Sequence, residues 1–362
     1  MKKKERLGAR INMSEMFENK NSRTELSQLG EFGLIKHLTQ WIELKNKSSI
    51  KGVGDDAAVI DCGEYVQVIT TDMLLEGIHF DLTYTPLKHL GYKAVVINLS
   101  DVYAMNARPQ HITVSIGLSN KVSLEAVEEL YAGIRLACQD YEIDLIGGDT
   151  CSSESGIVIS ITAIGTANKK DISYRSGAKE TNLICVSGDL GAAYMGLRIL
   201  EREKQVYLDN PKMQPDLQGK DYLLERQLKP EARKDIYEWL TENRIVPTSM
   251  IDISDGLSSE LLHLCEASSC GCMIYESRLP IDHLTAEQAL EFNMSPATCA
   301  LNGGEDYELL FTVPVELHDK IKEQGDINII GHITTAENGK YISDSQDQIH
   351  ELSAQGWNAF SS

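Results

Sequence analysis

The chain has 362 residues, 42% of them hydrophobic and 24% charged, which fits two core-forming globular domains and argues against a disordered chain. Its formal net charge of −20 repels nucleic acid and anionic lipid, and repels a nucleotide too unless cations intervene. No apolar run approaches the roughly 20 residues that span a bilayer, and no apolar segment comes after the basic Met1-Lys-Lys-Lys start; partners in a membrane or on nucleic acid are not expected, and the cytoplasm is the expected location.

Residues 1–29 read as a polar extension, aperiodic through residue 25. An amphipathic helix opens at Glu31 and runs to Trp41. Val66–Thr71 is a β-branched strand. A helix is expected over Pro86–Ala107, with Thr85 as N-cap and Pro86 in the first turn. Strands at Ile112–Leu118, Asp144–Ile146 and Ile157–Gly165, with a helix over Ser123–Tyr141, complete a first α/β unit over 30–167. The pattern restarts with a strand at Asn182–Ser187, then Gly188-Asp-Leu-Gly191 and a helix to about Glu203. Residues 204–229 read as a loop or partly helical insertion, with a helix over 230–243 after it. Met250–Ile253 ends a strand, and Gly256–Ala267 is a helix. Thr285-Ala-Glu-Gln288 reads as a capping box. Late strands lie at Tyr307–Val313 and Ile327–Ile333. The whole describes an α/β (α+β) chain of two halves, 30–167 and 168–362.

The eight cysteines contain no Cys-x-x-Cys pair and read as small buried thiols of a reducing compartment. The acids are more informative. Six segments place Asp or Glu beside Gly, Ser or Thr at the end of an apolar strand or on an apolar helix: Gly52-Val-Gly-Asp-Asp-Ala57, Thr70-Thr-Asp72, Asn98-Leu-Ser-Asp101, Gly147-Gly-Asp-Thr150, Ile251-Asp-Ile-Ser-Asp-Gly256 and Gly303-Gly-Glu-Asp-Tyr307. Asp101 interrupts an almost wholly apolar helix, where a lone charge is costly unless paired or metal-bound; a buried, hydrogen-bonded Asp reads as well as a ligand. Asp55-Asp56 and Asp252/Asp255 are close acidic pairs that repel unless screened. Such hard oxygens suit Mg²⁺ or Ca²⁺, and no EF-hand spacing supports Ca²⁺.

Two nucleotide-binding patterns are excluded. Gly52-Val-Gly-Asp-Asp-Ala57 fits a dinucleotide fingerprint, but Ala57-Ala-Val-Ile-Asp61 reads as a strand where the fingerprint requires a helix. No Gly-x-x-x-x-Gly-Lys-Ser/Thr loop is present.

Taken together and in this order, GDDAA, TTDMLLEGIHF, NLSD, GGDT, YRSGA, DISDGL and GGEDYELLFT resemble the thiamine-monophosphate kinase family, within the superfamily of aminoimidazole ribonucleotide synthetase and selenophosphate synthetase. The resemblance runs from about Gly30 to Phe360. It implies mixed sheets flanked by helices, a homodimer formed through the N-terminal domain, and ATP and thiamine monophosphate as ligands. It implies that Asp56, Thr70, Thr71, Asp72, Asp101, Asp149, Asp252 and Asp255 hold several Mg²⁺ ions. Tyr131, Gly148, Asp149, Arg175 and Ser254 would contact ATP. His79, Glu305 and Trp357 would contact the acceptor.

The chemistry is consistent with that pattern. Two polyanions must meet on an acidic protein, and clustered aspartates hold the cations that allow it. An acceptor phosphate oxygen is already ionised, so no general base is needed, and direct in-line transfer is expected. Other superfamily members are the competing reading. Residues 1–30 lack the reactive Cys of selenophosphate synthetases, and the chain lacks the C-terminal Cys of hydrogenase-maturation relatives. From another class, a non-catalytic metal- or thiamine-phosphate-binding protein is the alternative.

Overall fold

The computed structural model describes residues 26–355; the expected N-terminal extension through residue 25 and Trp357 lie outside them. Of these, residues 26–43 and residues 44–355 fall in two separate compact units. The first carries α1 (Gly30–Thr39).

The second unit opens with β1 (Ser49–Lys51), β2 (Ala58–Asp61), β3 (Tyr65–Leu75), α2 (Leu87–Ala104), β4 (Arg108–Leu118), α3 (Leu124–Asp140), β5 (Asp144–Ser152) and β6 (Ile157–Asn168). Its strands form one mixed sheet in the order β1-β2-β3-β6-β4-β5, antiparallel except for the parallel β4–β5 pair. Next come β7 (Leu183–Ser187), α4 (Ala192–Asp209), α5 (Asp221–Leu228), α6 (Lys234–Glu242), β8 (Ser249–Asp252), α7 (Leu257–Ser268), β9 (Gly271–Tyr275), α8 (His283–Glu291), α9 (Pro296–Asn302), β10 (Leu309–Val313), α10 (His318–Glu323), β11 (Ile327–Thr334), β12 (Lys340–Ser343) and β13 (Ile349–Glu351). These strands build a second mixed sheet, β13-β12-β9-β11-β7-β10-β8.

Strand alternation decides which face of the first sheet is covered. Along β6, Ile157, Ile159, Ile161 and Ala163 are buried, while the residues between them are partly exposed. The buried face meets α2. That helix is largely apolar, and every residue from Leu90 to Ser100 is buried, so this stretch has no solvent face. It packs on β3, β4 and β6 of the first sheet, on α3, and on β8 and α5 of the second half. One continuous core therefore joins residues of both sheets, and each fully buried Leu, Ile or Val side chain contributes roughly 1.5–3 kcal/mol to it.

Two expected caps move. Pro86, with φ −63° and ψ 133°, is the N-cap of α2 in place of Thr85. Helix α8 starts at His283, where the Asp282 side chain accepts from Leu284 N at 2.7 Å. Thr285 and Gln288 lie inside that helix and are buried, so a capping-box spacing here marks the inner face. Helix α3 begins where expected, and Ser123 caps it, its Oγ accepting from Ala126 N at 3.3 Å. Residues 204–229 hold the end of α4 and all of α5. The turn Gly188–Gly191 is structural: Gly191 N donates to Asp306 Oδ2 at 2.8 Å, and Asp189 accepts from the Tyr222 hydroxyl.

Helices α2 and α3 cross at glycines. A Cβ at Gly133 would sit 1.8 Å from Lys88 O, and one at Gly91 would sit 2.0 Å from Leu130 O. Gly133→Ala is therefore expected to force the helices apart and cost at least about 1–3 kcal/mol in a urea denaturation; unchanged stability would contradict this close crossing.

Candidate functional site

The site is built around α2. Asp101 lies near its C-terminal end, Asp56 in the loop between β1 and β2, and Asp252 at the end of β8. One carboxylate oxygen from each lies within 4.8 Å of the other two. Asp56 and Asp252 are buried, and Asp101 is partly exposed. Thr70 Oγ1 donates to Asp101 Oδ2 at 2.6 Å, and Ser100 Oγ donates to Asp252 Oδ2 at 2.6 Å. Asn98 Oδ1 accepts from the backbone N of Asp72 at 3.0 Å, tying β3 to the helix.

Three acids at this spacing are electrostatically costly. Burial, opposed by Arg175 and reinforced by Asp252 and Asp55, pushes Asp56 up to about 7. Burial first, then Asp72, Asp252 and Asp56, hold Asp101 well above the carboxylate range. Asp252 is pushed up to about 6, again mainly by burial. The cation that balances part of this charge is Arg175, whose Nη2 and Nε lie 2.6 and 3.1 Å from Asp56 Oδ1. Asp55 is held by Arg175 N at 2.9 Å and by Lys51 Nζ at 3.2 Å. The second oxygen of Asp56 is buried with no hydrogen-bond partner. Donors that are all carboxylate and hydroxyl oxygens, one of them orphaned, fit a hard divalent cation.

The remaining expected residues fall in different places. Asp72 lies within β3, not at its end, and acts on both Asp101 and Asp252. Strand alternation sends Thr71 to the opposite face from Thr70, where its hydroxyl donates to Ile161 O and accepts from Thr162. Asp255 lies beyond Asp252 in the turn before α7, and its N–H donates to Glu260 Oε1 at 3.1 Å. That turn needs Gly256, at φ +117° and packed against the backbone of Asn302 and Gly303. Ser254 O accepts from Glu305 N at 2.7 Å, joining the two Gly-containing turns. Gly148 and Asp149 lie on the exposed edge strand β5, and Asp149 Oδ1 accepts from Thr150 N. Asp149 is not among the three clustered acids. Tyr131, on α3, packs against the core.

His79 Nδ1 accepts from Leu75 N at 3.0 Å. It lines a cavity with Leu74, Phe80, Tyr84, Lys93 and Gln227. Glu305 reaches the same side chains, with Oε1 3.0 Å from Lys93 Nζ and Oε2 2.6 Å from Gln227 Nε2. Sequence reasoning missed Lys93, Ser100, Gln227 and Glu260. Lys93 carried the signal that marked Asp101, a charge within an apolar stretch of helix; Glu260, whose helix also holds Glu266, carried none, nor did Ser100 and Gln227.

The fold is of the AIR synthase class, and the model for "AIR synthase related protein, N-terminal domain" matches residues 54–167, which carry the first sheet. The chain is 36% identical over 331 residues to a thiamine-monophosphate kinase of Buchnera aphidicola from Schizaphis graminum, covering 89% of this chain and 96% of the relative. It is 32% identical over 338 residues to that of Bacillus subtilis, covering 92% and 100%. The solved structure of AaThiL complexed with AMPPCP and TMP superposes with a TM-score of 0.79 at 30% identity, over 93% of this chain and 99% of that one. The chain belongs to the thiamine-monophosphate kinase family.

The raised carboxyls give stability a sign. Each binds its proton more tightly in the folded state than in the unfolded chain, whose value is 3.8. The penalty is absent below that pH, grows as pH rises, and for Asp56 is complete above about 7. Chelator-treated protein is expected to lose urea resistance between pH 5 and pH 8. Asp101→Asn should recover on the order of 1–2 kcal/mol at pH 8 and little at pH 5; equal effects at both pH values would refute the repulsion.

Proposed function

We propose that the chain transfers the γ-phosphoryl group of ATP to the phosphate of thiamine monophosphate, giving ADP and thiamine diphosphate. The observation that carries this reading is the Asp56–Asp101–Asp252 cluster, two of its acids buried, with one paired arginine and an orphaned oxygen, in a chain of this family. Asp56, Thr70, Asp72, Asp101, Asp252 and Asp255 would hold Mg²⁺, with Thr71 and Asp149 as further ligands. When bound, Mg²⁺ neutralises charge between the two polyanions so that they can approach. The protein orients them. Thr70 and Ser100 fix the carboxylate rotamers by hydrogen bonds, and α2 holds these groups on one rigid element. The nucleophile is an ionised phosphate oxygen, so no side chain need accept a proton, and transfer is direct and in line.

Arg175, Ser254, Gly148 and Tyr131 are proposed nucleotide contacts; His79, Glu305 and Trp357 are proposed acceptor contacts. Residues 30–167 and 168–362 are proposed as the two functional domains, after an extension over 1–29. A homodimer is proposed through the first sheet. Two features support it: the β3 face that carries Tyr65, Thr71 and Met73 is exposed, and the edge strand β5 exposes Leu145 and Ile146. Light scattering at the mass of one chain would remove that proposal. Cytoplasmic placement is the proposed setting; among the described residues no helix is long and apolar enough to cross a membrane.

The test is product analysis with ATP, Mg²⁺ and thiamine monophosphate. Thiamine diphosphate should form, should vanish with EDTA, and should not form from unphosphorylated thiamine. Asp72→Asn and Asp252→Asn should lower kcat/KM by roughly 100-fold or more with far-UV spectra unchanged. Folded wild-type protein that binds ATP yet yields no diphosphate would overturn the assignment.

A further inference from the structure

Glu305 is an unusual residue to find in a turn. It is not glycine, yet its φ is +65°, in the left-handed region that costs L side chains energy and persists where surroundings impose it. Its surroundings are specific. Lys93 Nζ, on a side chain only 6% exposed, lies 3.0 Å from Oε1, and Gln227 Nε2 donates to Oε2 at 2.6 Å. Lys93 also donates to Gln227 O at 2.8 Å. The three residues come from α2, α5 and the turn before β10, and they close a ring of hydrogen bonds. The Glu305 side chain keeps 29% of its surface, so its carboxylate is oriented but still reachable. Lys93 and Gln227 line the cavity that His79 and Tyr84 also line.

The ring has a defined distance from the chemistry. Lys93 and Asp101 are eight residues apart on α2, a rise of about 12 Å, and lie within a quarter turn of the same face. A group held at Lys93–Glu305 is therefore at the far end of any acceptor whose phosphate sits at Asp101.

We propose that Lys93 and Gln227 are positioning residues that set acceptor specificity by fixing the Glu305 carboxylate toward the cationic, nitrogen-rich heterocycle of the acceptor. This rests on the kinase reading above. A carboxylate held by a buried ammonium and an amide is preorganised, so a positively charged or N–H-bearing ring meets an acceptor pair already in place. With Lys93 gone, Glu305 loses the partner that orients it in a strained turn. The loss falls on acceptor binding and leaves the nucleotide site intact.

The experiment is steady-state kinetics of Lys93→Met, Gln227→Leu, Glu305→Gln and the Lys93→Met/Glu305→Gln double variant, varying ATP and thiamine monophosphate separately. Lys93→Met should raise KM for thiamine monophosphate about tenfold or more and leave KM for ATP within about twofold. Gln227→Leu should move the same constant in the same direction, which keeps the test decisive if Lys93→Met does not fold. The double variant should be less impaired than the product of the single effects, because the unpaired carboxylate is gone. Parallel changes in both KM values, a fall in kcat alone, or a wild-type acceptor KM in folded variants would overturn the clamp and leave the kinase reading standing. A wild-type protein that makes no thiamine diphosphate would overturn both.

Discussion

Mutual repulsion among Asp56, Asp101 and Asp252 is the constraint on which the rest of this structure depends. Each of these acids loses hydration on folding; Asp252 raises the proton affinity of Asp56 and Asp101, and Asp56 raises that of Asp101. A core of this size would be more stable with apolar residues at all three positions. The arrangement instead gives up stability to hold negative charge at one place. Arg175 offsets Asp56, and hydroxyls from Thr70 and Ser100 serve the other two, which leaves the cluster short of positive charge. That deficit defines what the site attracts.

Helix α2 makes the deficit tolerable. Its apolar surface is covered on all sides by the first sheet, α3, β8 and α5, and that packing offsets the destabilisation that the acids cause. The same helix carries Lys93, Asn98, Ser100 and Asp101, so one rigid element reaches the cavity beside His79, the β3 backbone and the acidic centre together. The glycine crossing with α3 lets the helices approach closely enough to exclude water from that face. Function here derives from packing: the chemistry is held by a helix that cannot move without opening the core.

Much of this is legible in the chain. The strand at Ile157–Gly165, the helix that starts at Ser123 and the charge of Asp101 in a largely apolar helix each reflect local physics, and each lies where local physics places it. Other features depend on partners distant in sequence. Thr70 and Thr71 look alike as neighbours, and strand alternation together with the position of α2 separates them. Thr285 and Gln288 match a cap motif, but Asp282 is nearer the true helix start. Lys93 and Glu305 are more than two hundred positions apart, and no spacing rule links them. The strands β9, β12 and β13 are short and owe their pairing to the second sheet rather than to strong patterns of their own.

The most direct measurement is calorimetric titration of Mg²⁺ into the metal-free protein at pH 6.5, in two buffers of different ionisation enthalpy. If the buried carboxyls receive the ion, their retained protons must leave, and binding should release protons to the buffer. That release should shrink at pH 8 and in Asp56→Asn. Mg²⁺ binding with no buffer-dependent heat at pH 6.5, or with the same proton release in Asp56→Asn, would contradict a cation seated at the aspartate cluster.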